Sequence, residues 1–319
     1  MKGWIPAFAG MTNWAVGIRC SFRPGWYIEA MTVLVVGAGG RLGREFMERL
    51  SLLDDLTGLT HVQCDITDSL AVERTVLELQ PTVVINCAAQ PSVDACEKDH
   101  DQAYRINVLG ARNVAHAAYK VAAKVVHFST DYVFDGTADH VYTEWDTPNP
   151  INWYGHTKLM SEEAVRYANP DSLVLRIAYV YGAHGDNPVT AVVRAAQSGA
   201  PFTLPDDQVM SPTSATEIVQ QTMLLIQRGA VGTYHVTGKG QTSRYEFAQS
   251  VATILGLDAP LVPAHAADTP GRIPRPLRTP LAHEHLRLEG QDMMSEWDQA
   301  LYEFLVDHKR VLLHGEEVS

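Results

Sequence analysis

The sequence predicts an α/β fold with a doubly wound parallel sheet, followed by a smaller C-terminal region that caps a cleft. Three observations carry that reading. Apolar, β-branched runs alternate with segments of helical period. A glycine-rich turn, Gly37-Ala38-Gly39-Gly40-Arg41-Leu42-Gly43, follows the first run, and prolines and glycines become frequent after Tyr181. Regular strand–helix alternation gives a parallel sheet with right-handed crossovers.

Each element has its own signal. Met-Thr-Val-Leu-Val-Val at 31–36 suits a buried parallel strand, and it enters the glycines directly. Leu42, Phe46, Met47, Leu50 and Leu53 then recur at helical spacing. Residues 61–64 read as a weak short strand, followed by Asp65-Ile66. A helix over 69–79 stops at Pro81, and 82–89 is a buried strand ending in Ala88-Ala89. A long helix over 103–119 contains Asn107. Residues 124–130 form the next strand, ending in Ser129-Thr130. A helix over 151–168 and a strand over 172–181 complete the alternation. The expected division is an extension at 1–30, a nucleotide-binding domain at 31–181 and a substrate region at 182–319, interleaved with it.

Composition excludes several classes. The 319 residues suffice for a large core, and 37 acidic against 25 basic residues give a net charge of −12. That balance argues against nucleic acid or an anionic membrane surface as partner. No apolar run is long enough to span a bilayer. Cys20, Cys64, Cys87 and Cys96 make no Cys-x-x-Cys pair, a reduced, cytoplasmic pattern with no zinc signature; Cys87 reads as a buried thiol. His283 and His285 diverge on a helix, so no metal is expected. Glu162-Glu163 read as a solvated face, and Trp297, Leu301 and Phe304 as a packing face. The first 30 residues show neither strand nor helical period and no signal peptide, so Met31 is expected to be the true start.

Chemistry enters with the glycine turn and with Tyr154-Gly155-His156-Thr157-Lys158. In a strand–turn–helix unit Gly37 permits the turn, Gly40 admits a pyrophosphate and Gly43 lets the helix pack on the strand. The helix N-terminus adds N–H donors. Tyr154 and Lys158, four apart, project from one helix face, and an ammonium beside a phenol lowers its pKa. Such a tyrosine can pass a proton to a carbonyl oxygen. A hydroxyl at a strand's carboxyl end, Ser129 or Thr130, can donate to a developing oxyanion. The stretch Leu59-Thr60-His61 offers no acid to meet a ribose 2′-hydroxyl, whereas Arg41 and Arg44 flank the turn and could meet a 2′-phosphate. That favours NADP over NAD.

The glycine turn, Asp65-Ile66, Asn86-Cys87-Ala88-Ala89, the run Ser129-Thr130-Asp131-Tyr132-Val133-Phe134-Asp135-Gly136 and the Tyr154–Lys158 segment together resemble an extended short-chain dehydrogenase/reductase. The Ser-Thr-Asp-Tyr-Val-Phe-Asp-Gly run, Asp206-Asp207-Gln208, Pro148-Asn149-Pro150 and Arg275-Pro276 are similar to its dTDP-4-dehydrorhamnose reductase branch, over about residues 31–306. The resemblance implies a Rossmann domain and a keto-sugar nucleotide reductase. It implies Thr130, Tyr154 and Lys158 as catalytic. Gly37, Gly39, Gly40, Arg41, Leu42, Gly43, Asp65, Ile66, Ala88, Ala89, Asn107 and Lys158 would hold NADP or NAD. Ser129, Asp131, Tyr132, Val133, Tyr179 and Arg275 would meet the sugar nucleotide. A cytoplasmic homodimer is implied, binding neither nucleic acid nor membrane. Arg176-Ile177-Ala178-Tyr179-Val180-Tyr181-Gly182 departs from the branch's Arg-Thr-Ser-Trp-Val-Tyr-Gly, which points to a related sugar nucleotide. The same Arg-Ile pair resembles the regulatory β subunit of methionine adenosyltransferase, an NADP-binding partner protein and the alternative reading.

Overall fold

Six parallel strands form the central sheet: β1 (Val33–Val36), β2 (Leu56–Leu59), β3 (Val83–Asn86), β4 (Lys124–Thr130), β5 (Ser172–Ile177) and β6 (Gly232–His235). Their order is β6-β5-β4-β3-β1-β2. This computed structural model describes residues 31–268 and 273–314; the extension at 1–30 lies outside the described residues. β1, β3 and β4 are buried along their whole length; β1 and β3 accordingly read as apolar runs, whereas β4 also buries Lys124, His127, Ser129 and Thr130. β1 pairs with β2 on one side and β3 on the other, so the strand order reverses there. That reversal opens a crevice beyond the carboxyl ends of β1 and β3. The glycine turn and the loop at Cys87–Ala89 flank it.

Both faces are covered. The helices Arg41–Arg49 and Ala215–Gln227 pack together on one face, over a core of Val35, Phe46, Ile85 and Ile218. The helices Ser69–Leu79, Ala111–Lys120 and Trp153–Ala168 cover the other, over Leu34, Val76, Val84 and Val114. Beyond 181 the chain alternates between this sheet and a second core. β6 adds to β5 with Tyr234 opposite Leu175. The helices Pro188–Ser198 and Arg244–Leu255 and the C-terminal helix from Trp297 pack around Tyr181, Phe247, Leu301 and Phe304, with Trp297 at the edge. Trp297, Leu301 and Phe304 are therefore a packing face.

Local pattern misplaced some boundaries. The second strand is Leu56–Leu59, not 61–64, because it pairs residue for residue with Val33–Val36. Residues 60–64 form a turn in which the Thr60 N–H donates to Gln63 Oε1 at 2.9 Å. The helix expected over 103–119 contains a π-helical turn, Arg105–Gly110. Wide turns of this kind recur at functional positions, and this one carries the buried Asn107. The helix after the glycines ends at Arg49, four residues short of Leu53.

Candidate active site

The glycine turn is built for close approach. Gly37 has φ +79°, and a Cβ there would lie 2.6 Å from the Ala88 nitrogen. Only glycine takes that conformation and that contact without strain. The turn thus presses directly on the loop after β3. Its continuation, Gly40, Arg41 and Leu42, lines a cavity of about 550 Å³ that also takes in Ala89, Thr130, Tyr154 and Lys158.

The reactive helix is fixed at its start. Asn152 caps it by accepting the Gly155 N–H at 2.8 Å. A Cβ at Gly155 would lie 2.2 Å from the Tyr132 carbonyl oxygen, so the glycine after Tyr154 lets the helix seat against the loop after β4. This brings Tyr154 to Thr130, and the Tyr132 and Tyr154 rings meet edge to face with centroids 6.1 Å apart. Burial holds the Tyr154 phenol above its ordinary pKa, and its hydrogen bond with Thr130 pulls the other way. Burial brings Lys158 down to about 8, opposed by the charge of Glu162. The phenol thus lies above its ordinary value, the reverse of the lowering expected from Lys158, and Thr130 is the group that opposes burial. A phenol kept neutral is the form that can donate a proton.

Groups behind the cavity hold these residues. Asn86 spends Oδ1 on the Ala88 N–H (3.1 Å), so its amide nitrogen faces His127 Nδ1 at 3.3 Å. The His127 proton then sits on Nε2, 2.9 Å from Ser161 Oγ and 3.5 Å from Lys158 Nζ. Burial, with the Lys158 charge, keeps His127 neutral. Asp131 accepts from Thr279 at 2.5 Å and from Thr130 at 3.0 Å. Burial raises its carboxyl to about 6 against those two hydrogen bonds.

The other expected residues divide into several places. Tyr132, Tyr179 and Arg275 line the cavity, but Arg275 is paired with Asp94 at 3.0 Å. Ser129 lines it too, yet its hydroxyl donates to Glu162 at 2.5 Å. Val133 lies in a separate core with Phe134 and Tyr142. Gly39 and Gly43 complete the turn, and Ala88 packs against the sheet core. Asp65 is spent on Thr67, and the buried Ile66 packs on Gly110. Asn107 accepts the Gln90 N–H at 2.7 Å and donates to Thr157 at 3.0 Å, tying the loop after β3 to the reactive helix. Cys87 is half-buried and lines the cavity, so it is not the core thiol expected.

Two readings of charge change. Glu162 is not on a solvated face: its side chain is 0% exposed, and both its oxygens accept from Arg176 at 2.9 Å. Arg41 turns from the solvent toward the cavity, donating to the Val180 carbonyl at 2.9 Å. Its Nε is buried without a hydrogen-bond partner. A buried guanidinium donor left free beside a glycine turn fits a pyrophosphate oxygen better than a 2′-phosphate on the adenosine side. Arg44 stays outside, with its Nε on the Gly39 carbonyl at 3.1 Å. Sequence reasoning missed Arg244 and Thr279, which line the cavity from segments that carry no motif. His283 and His285 turn to different partners, Thr237 and the Thr233 carbonyl.

A nucleotide crevice joined to a Thr–Tyr–Lys set defines an oxidoreductase of the short-chain dehydrogenase/reductase type. Residues 31–310 match the family described as RmlD substrate binding domain, and the chain belongs to that family. The spore coat polysaccharide biosynthesis protein SpsK of Bacillus subtilis is 35% identical over 274 residues, 86% of this chain and 96% of that one. The dTDP-4-dehydrorhamnose reductase of Mycolicibacterium smegmatis is 35% identical over 86% of this chain and 85% of its own. A solved dTDP-4-dehydrorhamnose reductase from Bacillus anthracis, in complex with NADP, has a TM-score of 0.84 at 34% identity, covering 87% of this chain and 99% of that one.

Proposed function

We propose that this chain reduces a keto-sugar nucleotide of the dTDP-4-dehydrorhamnose type, using NADPH in preference to NADH. The observation that carries the reading is the meeting of Thr130, Tyr154 and Lys158 in the cavity into which the glycine turn opens. The NADP-bound relative supports the cofactor assignment. With its pyrophosphate held at Gly40–Leu42, NADPH would supply the hydride to the sugar carbonyl carbon. Tyr154 then gives its phenolic proton to the sugar oxygen as charge develops there. Thr130 holds that oxygen, a contact worth roughly 3 kcal/mol of barrier for one well-placed donor. Lys158 stabilises the phenolate left behind.

Oxidation of NADPH and of NADH against a panel of nucleoside-diphosphate 4-keto sugars tests the reading. Turnover supports it. Tight NADPH binding with no turnover on any member would favour the regulatory alternative.

If Lys158 must be cationic to stabilise the phenolate, kcat falls as pH rises through about 8, where the buried ammonium loses its proton. A Lys158→Met variant should be slow and lack that limb; an unchanged limb in it would assign the titration elsewhere. Arg41→Ala should weaken NADPH and NADH alike, each by about tenfold or more, because the guanidinium faces the shared pyrophosphate position. Titration of both cofactors followed by tryptophan fluorescence reads this directly. A loss confined to NADPH would return Arg41 to the 2′-phosphate.

A further inference from the structure

We propose that Arg244 selects the substrate, by pairing its guanidinium with the diphosphate of the sugar nucleotide. The proposal rests on the reductase reading and extends it to a residue outside the motif set.

Arg244 is the first residue of the helix Arg244–Leu255 and lines the same cavity as Thr130 and Tyr154. Its Nη2 donates to Tyr132 Oη at 2.9 Å, its one hydrogen bond among the described residues. Its carbon Cζ stands 5.1 Å from the centre of the Tyr179 ring. Both partners are neutral. Arginine carries five N–H donors in a planar fork that matches a phosphate, and here most of that fork is unspent.

The other cations described in the cavity are placed elsewhere in it or are paired. Arg275 is held by Asp94 at 3.0 Å. Lys158 lies against His127, behind Tyr154. Arg41 stands by the glycine turn on the Val180 carbonyl. The charge of Asp131 reaches Arg244, but Asp131 accepts from Thr130 and Thr279 and makes no ion pair with Arg244 among the described residues. A guanidinium held by one hydroxyl and one ring keeps donors free for an anion.

The mount is rigid. Tyr179 has φ +41°, a left-handed conformation that is strained for an aromatic residue and persists only where its surroundings impose it. Its ring stacks edge to face on Phe247, three residues along the helix from Arg244, with centroids 5.3 Å apart. The platform under the guanidinium is thus fixed from the core. The positive end of the helix dipole lies at the same place. A sugar nucleotide has one obligatory anion, its diphosphate, and this is the group a fixed, uncommitted guanidinium in such a cavity would take.

The test is calorimetric titration of dTDP, dTMP and thymidine into wild type, Arg244→Ala and Arg244→Lys, with NADPH titration as the control for fold and cofactor site. Wild type should prefer dTDP over thymidine. Arg244→Ala should lose at least about tenfold on dTDP while thymidine and NADPH stay within about twofold, and lysine should restore part of the loss. Unchanged dTDP binding in Arg244→Ala overturns the proposal and leaves the reductase reading standing. Equal losses on dTDP and NADPH overturn it too, because Arg244 would then serve the fold. Should Arg244→Ala fail to fold, the lysine variant and Arg244→Gln decide by the same comparison. Wild-type turnover on no keto-sugar nucleotide would instead sink the reductase reading, whatever Arg244 does to dTDP.

Discussion

Replacing Tyr154 by phenylalanine is expected to lower kcat by a factor on the order of 10² or more while NADPH affinity changes little. The substitution removes one oxygen and keeps the ring that packs edge to face on Tyr132. The helix start is held by Asn152 and Gly155, not by the phenol, so the fold should survive. Burial keeps the phenol protonated throughout the neutral range, so the loss should be seen at every pH from 6 to 8. Stopped-flow single turnovers with NADPH separate the reduction step from product release. A kcat within a few-fold of wild type would remove Tyr154 as the acid.

Much of this site was legible because its chemistry follows local spacing. A tight glycine turn after an apolar strand, and a tyrosine four residues before a lysine, each encode their geometry within a few residues. The sheet was legible for a similar reason: β1 and β3 are buried on both faces and read as short apolar runs, and β4 carries the apolar Val125, Val126 and Phe128. What escaped depends on contacts distant in sequence. β2 is set by its pairing with β1, not by its own composition. Arg244 reaches Tyr132 across 112 residues, and Thr279 reaches Asp131 across 148, with no motif at either end. Arg41 sits on a helix where solvent is the ordinary destination. Nothing local says that the Val180 carbonyl will accept a hydrogen bond from Nη1 and leave Nε buried. Glu162 failed in the same way, since neighbouring acids on a helix usually face water, and its partner lies on β5.

Glu162→Ala is expected to be the most damaging single change to stability, at about 3–5 kcal/mol, the range for stranding one partner of a buried ion pair. The carboxylate accepts from Ser129 at 2.5 Å, from two nitrogens of Arg176 at 2.9 Å and from Arg166 at 3.4 Å. Truncation leaves the Arg176 guanidinium buried against Phe134 and His235, and burial keeps that histidine from sharing a charge. A loss of that size is a large part of an ordinary domain's 5–15 kcal/mol or so. The pH dependence has a definite sign. Burial pushes the Glu162 carboxyl up, but its bonds to Arg176 and Ser129 hold it below its ordinary value. The native state therefore binds this proton less readily than the unfolded chain does. Its stabilisation is full above the usual glutamate pKa, roughly 4.3, and is lost as pH falls through the lower native value. Urea unfolding midpoints followed downward from pH 7 should show the gap between wild type and Glu162→Gln begin to narrow near pH 4 and close only below the carboxyl's lower native value. A Glu162→Ala variant less than about 1 kcal/mol below wild type at pH 7 would show that water or another anion compensates Arg176. The consequence reaches the cavity: Ser129 loses its acceptor, and the end of β4, which carries Thr130, loses its anchor to the helix that carries Tyr154 and Lys158.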